Sequence, residues 1–354
     1  MKNENQLPDD TEEYLTEKLG SSVSIIDWKR TFPGASRETF ILNLKVGGTP
    51  EGLVLRIDPM GPAATPYPLA REYKIYESLY GSEVPVAEPL WFDEGVSYAS
   101  GRAHMVRRLV DGSTSVYGLN DPGESGDRVR RQVVRELVEN LARLHSFDWE
   151  TAGLGTVMPI PSSPAQALRA DFEEWRNYWR ENQTEVDPVL EEAMHWLLEN
   201  IPEDTPRVSL TKGNNGIGEE IWQGNRIVAL SDWELSCLSD GVVDLSFSEG
   251  TLQLADFDEV LRLYEHCTGE SISLERVAFG GFLVWLKILV STRSCMMKPY
   301  LEGRHRRING LAFGLGYSED PYGKIAACIG RNIVDTWREV VKGERSIYTG
   351  YSGA

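Results

Sequence analysis

Alternation of apolar and polar residues dominates the first part of the chain. "SVSIIDWKRT", "ETFILNLKV" and "EGLVLRIDP" are short runs rich in β-branched and aromatic residues. Pro, Gly and Ser turns separate them, so they predict an antiparallel sheet of hairpins. In "PLAREYKIYESLYG" the period lengthens: Leu69, Tyr73, Ile75, Tyr76 and Leu79 fall near helical spacing, and Gly81 predicts the stop. Two further extended pieces, "AEPLWFDEG" and "RAHMVRRLVDG", complete an order of strands, a helix, and strands again.

From about Asp127 the pattern turns helical. "DRVRRQVVRELVENLARLHSFD" repeats Val133, Leu137, Leu141 and Leu144 along one face, with Asp127 placed to cap its start. "QALRADFEEWRNYWREN" and "DPVLEEAMHWLLENI" also predict helices, the second with Leu190, Met194, Leu197 and Leu198 on one side. A β-type interlude, "EEIWQGNRIVALSDWE", follows, with Gln223-Gly224-Asn225 as its hairpin turn. The expected organisation is α+β in two parts: a small β-rich lobe over residues 1–107 and a larger, mostly helical lobe over 108–354. The linker lies near Arg107 to Gly112.

Composition narrows the picture. The chain has 354 residues, 41% hydrophobic and 25% charged, as in an ordinary globular protein with a large core. A formal net charge of −18 argues against nucleic acid, whose phosphates require clustered Lys and Arg. Cys237, Cys267, Cys295 and Cys328 show no zinc spacing and are expected as reduced, buried thiols. The N-terminal "MKNENQLPDDTEEYLTEKLG" is too polar for a signal peptide, so the expected location is cytoplasmic. The longest apolar run, "VAFGGFLVWLKILV", is broken by Lys287 and suits a buried helix, not a membrane span.

Taken in order, from about Tyr14 to Arg338, these segments resemble the aminoglycoside phosphotransferase and choline kinase-like superfamily. "FPGASRETFILNL" is similar to its nucleotide-loop hairpin, "LVLRIDP" to its third strand and "REYKIYESL" to its pairing helix. "ENLARLHSFD" is similar to the helix before the catalytic region, and "ALSDWELSCLSDGVVDL" to the Asp-Trp-Glu segment with its later Asp-Leu. No one motif is specific; their order and spacing are. Leu-Arg on the third strand with Asp-Trp-Glu-Leu-Ser downstream most resembles the kinase-like domains found beside acyl-CoA dehydrogenases.

The resemblance implies a two-lobed protein-kinase-like fold that binds ATP and Mg²⁺ between its lobes. Phosphoryl transfer is mostly positioning and charge neutralisation, which gives each segment a task. Arg56 takes the place of the phosphate-contacting cation, and Glu72 that of the helix carboxylate holding it; a surface ion pair would have the same sequence. Gly34 and Ser36 stand in the nucleotide loop, although an ordinary hairpin turn would look alike. Met105 to Leu109, including Arg107, falls at the hinge that would present backbone groups to adenine. Asp232 matches the principal metal ligand and Asp244 a structural carboxylate.

The catalytic region, 207–245, departs from the family pattern of His-Gly-Asp, four residues, then Asn. Counted back without gaps from Asp232, those positions fall on Lys212, Gly213, Asn214 and Glu219. No aspartate lies between Arg207 and Ser231, so no shift of alignment restores the base, although one exchanges Asn214 for Asn215. Asn214 cannot take a proton from an acceptor hydroxyl, and losing general-base help costs about 10²–10⁴ in rate. Glu219 puts a carboxylate at the second metal-ligand position, which a hard cation accepts. Lys212 brings an ammonium within expected reach of Asp232 or Glu219, where it would take over part of the metal's role.

Two functions stay open on the sequence. One is a phosphotransferase acting on a hydroxyl of a small molecule; the other is a pseudokinase-type nucleotide- or ligand-binding protein that regulates a protein partner. Chemistry on a nucleotide or acyl substrate is a third, smaller possibility. The helical lobe carries Asp171, Glu173, Glu174, Glu181 and Glu185, which suit a cationic acceptor, although such faces are usually solvated. His145, Trp175 and Trp179 are expected to be structural, and His195, His266 and His305 lack metal-ligand spacing.

Overall fold

The computed structural model describes residues 7–31, 36–60, 63–248, 251, 253–303, 315–316, 320–326 and 328–341. Strands β1 (Val23–Arg30), β2 (Glu38–Val46), β3 (Thr49–Ile57), β4 (Pro89–Asp93) and β5 (His104–Arg108) form one antiparallel sheet in the order β1-β2-β3-β5-β4. Period-2 alternation along β3 divides its side chains between two faces. Leu53, Leu55 and Ile57 join Phe40, Leu42 and Leu44 in a core beneath helix α1 (Thr11–Leu19). Arg56 therefore points to the opposite face, toward α2 (Leu69–Leu79) and the second lobe.

Helix α1 was not expected, because only Thr11, Tyr14 and Leu15 of its residues are buried and its apolar stripe is too thin to stand out. Its central anchor is Tyr14, whose hydroxyl donates to Asp93 Oδ2 at 2.6 Å and accepts from Trp91 Nε1 at 2.6 Å and whose ring stacks on Tyr98; Lys18 adds an ion pair to Asp93 at 2.6 Å. The predicted strands and α2 form as expected, with Gly81 in the left-handed region just beyond α2.

The second lobe is mostly helical. α3 (Gly123–His145) starts upstream of the expected Asp127 cap: Pro122 holds the cap position, and Asp127 lies within the helix, paired with Arg130 at 2.5 Å. α4 (Ala167–Asn182) and α5 (Pro188–Glu199) form as predicted, with Asp187 capping α5 through the amides of Val189 and Leu190. Behind them runs the buried helix Leu274–Val290, continued by a π-helical stretch over Ser291–Met297. Lys287, the charge that interrupts this apolar run, is neutralised by Asp171 of α4 at 2.6 Å. Asp171 is thereby spent as structure and leaves the set of carboxylates available to a cationic acceptor.

Trp175 and Trp179 are core residues, at 1% and 2% exposure. Cys237, Cys295 and Cys328 are buried, whereas Cys267 lies on the surface, contrary to expectation; none is in a disulfide. Among the described residues no helix is long and apolar enough to cross a membrane.

Two short ribbons carry the region between α5 and the long buried helix: β6 (Ser209–Thr211) with β9 (Cys237–Ser239), and β7 (Glu220–Gln223) with β8 (Arg226–Leu230). Gly224, with φ +59°, turns the second hairpin as predicted. The segment after β3 ties the lobes together. Thr65 Oγ1 donates to the Glu234 carbonyl at 2.9 Å and Ser291 Oγ donates to the Ala64 carbonyl, while within the first lobe the Ala64 amide donates to Ser36 Oγ at 3.0 Å.

Candidate functional site

The residues after β6 are shaped by one buried carboxylate. Asp244, in helix α6 (Val242–Phe247), accepts the backbone amides of Lys212 and Gly213, each at 2.7 Å, and Asn215 Nδ2 at 2.8 Å. His145 Nε2 lies 2.9 Å from Asp244 Oδ2, and its Nδ1 lies 2.7 Å from the Tyr264 hydroxyl. His145 is thus a buried strut of the loop. These bonds hold Asp244 below the ordinary carboxylate range against the upward push of burial. Gly213 adopts φ +76°, and a Cβ there would come within 2.5 Å of the Leu235 carbonyl oxygen. Only glycine fits this turn.

With the loop so fixed, the Asn214 side chain reaches Asp232, and its Nδ2 donates to Oδ2 at 2.6 Å. The other oxygen, Oδ1, accepts from Arg56 Nη2 at 2.7 Å. Arg56 also meets Glu72 at 3.2 Å through Nε and Glu234 at 2.9 Å through Nη2. The predicted Arg56–Glu72 pair is therefore formed, and it is an interior contact, with Glu72 only 2% exposed.

A second guanidinium, Arg37, shares these carboxylates. It lies 3.2 Å from Glu234, 3.5 Å from Glu72 and 2.8 Å from Asp58, and donates to the Tyr67 carbonyl at 2.7 Å. Arg37 and Glu234 were missed in the sequence, although both lie inside the quoted motifs "SRE" and "DWE". Only the folded sheet shows that Arg37 and Arg56 converge.

Glu219 and Asp232 leave the base of the β7–β8 hairpin side by side. Glu220 pairs with Leu230, and Ser231 Oγ donates to the Glu219 carbonyl at 2.5 Å. Burial first, then the nearby Asp232 charge, pushes the Glu219 carboxyl up to about 7. The same two causes push Glu234 up to about 7. Asp232 is the exception: burial would raise it, but Arg56 foremost, then Lys212 and the Asn214 bond, hold it below its ordinary value. Asp232 also has φ +64°, a left-handed conformation uncommon outside glycine.

Lys212 does not touch Asp232 or Glu219. Its fully buried ammonium lies 3.2 Å from Glu220 Oε1 and donates to the Asn214 carbonyl. It lowers Asp232 and Glu219 only through space, so the expected direct replacement of a metal is corrected to an ion pair that braces the loop from behind. Glu220 was also missed; the alternation along β7 turns it inward.

The nucleotide-side residues are less gathered. Gly34 lies outside the described residues. The Ser36 hydroxyl is buried and accepts the Ala64 amide. The Arg107 guanidinium sits 5.5 Å from the Tyr76 ring centroid, and its charge acts on Glu72. The Leu109 amide is bonded to the Gly52 carbonyl at 2.9 Å, and its side chain covers Gly52.

As a cation site the donors are two carboxylates, Asp232 and Glu219, each raising the other's cost of ionisation. A hard divalent ion would relieve that repulsion, so the chemistry fits. Both oxygens of Asp232 are taken by Arg56 and Asn214, however, and among the described residues no cluster of three or more His, Cys, Asp or Glu is arranged to hold a metal. A cation would have to displace one of those donors.

Comparison with known proteins identifies the family and the fold. The phosphotransferase enzyme family matches residues 30–248. Acyl-CoA dehydrogenase family member 11 of Gallus gallus is 26% identical over 280 residues, covering 72% of this chain and 34% of its own length. Family member 10 of Mus musculus is 25% identical, covering 68% of this chain and 22% of its own length. The chain thus spans about a third or less of the curated relatives it matches. Among solved structures, a Ralstonia eutropha JMP134 protein described as an aminoglycoside phosphotransferase is 21% identical with TM-score 0.64, covering 94% of this chain and 99% of that one. The aminoglycoside phosphotransferase APH(4)-Ia in ternary complex with ADP and hygromycin B is 16% identical with TM-score 0.57, covering 89% and 98%. Macrolide 2'-phosphotransferase MphH of Brachybacterium faecium is 18% identical with TM-score 0.57, covering 88% and 98%. These likenesses establish the kinase-like fold.

Proposed function

The chain belongs to the phosphotransferase enzyme family, and from that premise we propose that it binds ATP between its lobes and transfers the γ-phosphoryl group slowly to a hydroxyl of a small molecule. The observation that carries this reading is the Arg56 guanidinium, ion-paired with Glu72 on one side at 3.2 Å and hydrogen-bonded to Asp232 on the other. A guanidinium there would meet phosphate oxygens beside the carboxylates that would hold Mg²⁺. Arg56 contacts the phosphates through paired donors, and Asp232 with Glu219 supplies the oxygen ligands. Ser36 and the backbone near Arg107 and Leu109 border the nucleotide. Asn214 orients the acceptor hydroxyl and leaves its proton to solvent.

ADP and hygromycin B are bound by APH(4)-Ia, and the same ligand classes, a nucleotide and a hydroxylated acceptor, are proposed for this chain. Glu181 in the last turn of α4 and Glu185 just beyond it are exposed and favour a cationic acceptor.

A second reading, a nucleotide-binding regulatory protein without transfer, is favoured by one contact: the Asn214 amide faces Asp232 as a donor, the reverse of a base awaiting a proton. ATP turnover in wild type, Asn214→Asp and Asp232→Ala separates the two. Phosphoryl transfer expects slow turnover that Asp232→Ala abolishes and that Asn214→Asp raises by about 10²-fold or more. Nucleotide binding with no turnover in any of the three would establish the regulatory reading, and no binding at all would sink both.

A further inference from the structure

We infer that Asn214 is a latch on Asp232: its amide and the Arg56 guanidinium together hold that carboxylate closed, and a divalent cation enters only when a phosphate chain draws Arg56 away. The inference rests on the phosphotransferase reading of this cleft and concerns how the same site is regulated.

Residue type decides whether the closed arrangement exists. Asn214 Nδ2 lies 2.6 Å from Asp232 Oδ2, a distance at which an amide is a donor and an aspartate would be a second anion. Two carboxylates so close cannot both ionise without a cation between them. With asparagine the contact becomes attractive, and Asp232 is stable as an ion in the absence of any metal. The charge that the family pattern carries at 214 stands instead at 219, beside Asp232 but across the hairpin base.

Arg56 is the movable half of the latch. Its Nε stays near Glu72 at 3.2 Å, while Nη2 bridges Asp232 and Glu234 at 2.7 and 2.9 Å. Phosphate oxygens compete for Nη2 without disturbing the Glu72 contact. Glu72 and Glu234 are not stranded when Arg56 turns, because Arg37 lies 3.5 and 3.2 Å from them and is itself anchored on Asp58 and the Tyr67 carbonyl. Asp232 alone is left without a cation, keeping only the Asn214 amide on its other oxygen. Nucleotide therefore binds first, without metal, and its binding creates the affinity for the cation; by linkage the cation strengthens nucleotide binding equally.

Thermal unfolding and titration calorimetry of the full chain test this, with MgCl₂ alone, ADP alone in EDTA, and both together. Asp232→Asn sets the background of Mg²⁺ binding to the acidic surface. Wild type is expected to show no Mg²⁺ response above that background, a rise in Tm with ADP in EDTA, and a further rise with both. Asn214→Asp should unfold at lower temperature than wild type in EDTA, and MgCl₂ alone should restore it. Should that variant not fold, Asn214→Ala serves: it removes the donor without adding charge. It should bind Mg²⁺ alone at least about ten-fold more tightly than wild type, the loss of one charge-assisted hydrogen bond.

The latch is overturned if wild type answers MgCl₂ alone above background, or if neither variant differs from it in that response. Absence of nucleotide binding under every condition would count against the phosphotransferase reading, while the MgCl₂ comparison of wild type with the two variants still decides the latch.

Discussion

Lys212 and Glu220 are both fully buried, 3.2 Å apart, so each is tolerable only because of the other. Lys212→Met should destabilise the chain by about 3–5 kcal/mol, whereas Lys212→Met with Glu220→Leu should recover most of that loss in denaturant unfolding, since a well-packed apolar pair replaces a buried ion pair at little cost. Titration gives a second residue-level expectation. The Glu219 and Glu234 carboxyls rise from 4.5 to about 7 on folding, so the folded state binds protons more tightly. Their contribution is complete below about pH 4.5 and is lost as pH rises to about 7. Glu219→Gln should flatten the pH dependence of stability over that window by up to about one proton; an unchanged slope would exclude this assignment. Arg56, Glu72, Asn214, Glu219 and Asp232 were all legible as candidates, because the family pattern fixes their positions. The partner of Lys212 was not, since it depends on which face of a four-residue strand points inward. Arg37 escaped for a similar reason: its guanidinium meets Glu234 across 197 positions of sequence, a contact that no local spacing announces.

At the scale of elements, the sheet, α2, α4, α5 and the hairpin at Gly224 were readable from period and turn chemistry alone. The start of α3 was not, because the helix runs through "GESGD", whose composition favours a loop. The turn after β6 has little freedom. Gly213 combines φ +76° with a backbone oxygen 2.5 Å from any added Cβ, and its amide is one of the bonds to Asp244. Gly213→Ala is expected to cost about 1–3 kcal/mol in backbone strain alone and to displace Asn214 from Asp232. The check is a lowered Tm together with weaker nucleotide binding in the same variant. A lowered Tm with intact nucleotide affinity would mean that the turn supports the lobe but not the site. Farther back, Arg276 clamps Asp240 through two bonds of 2.7 Å, tying the long buried helix to the segment between β9 and α6.

The whole molecule carries 36 basic and 54 acidic residues, and its interior consumes several of the positive charges on fixed partners such as Asp171, Asp240 and Glu220. What remains outside is strongly anionic, so self-repulsion should weaken the fold when screening is poor. Calorimetry between about 0.01 and 0.15 M NaCl is expected to show Tm rising, as the Debye length shortens from about 30 to 8 Å. A fall instead would mean that exposed ion pairs outweigh the net repulsion. The two-lobed plan was legible because patterning changes from alternating to helical along the chain. The ties between lobes, from Thr65 to the Glu234 carbonyl and from Ser291 to Ala64, were not, since they join a loop without periodic pattern to distant backbone.

The bond from Asn214 to Asp232 also orders the mutational routes open to this cleft. The exchange Asn214→Asp, made while Glu219 remains, sets a new carboxylate against Asp232, which already repels Glu219, and so costs stability before it can raise turnover. Exchanging Glu219 for asparagine first removes a repulsion and leaves the amide contact intact. The two positions are therefore epistatic with a preferred direction. Ancestral and engineered returns to the family loop should pass through 219 before 214.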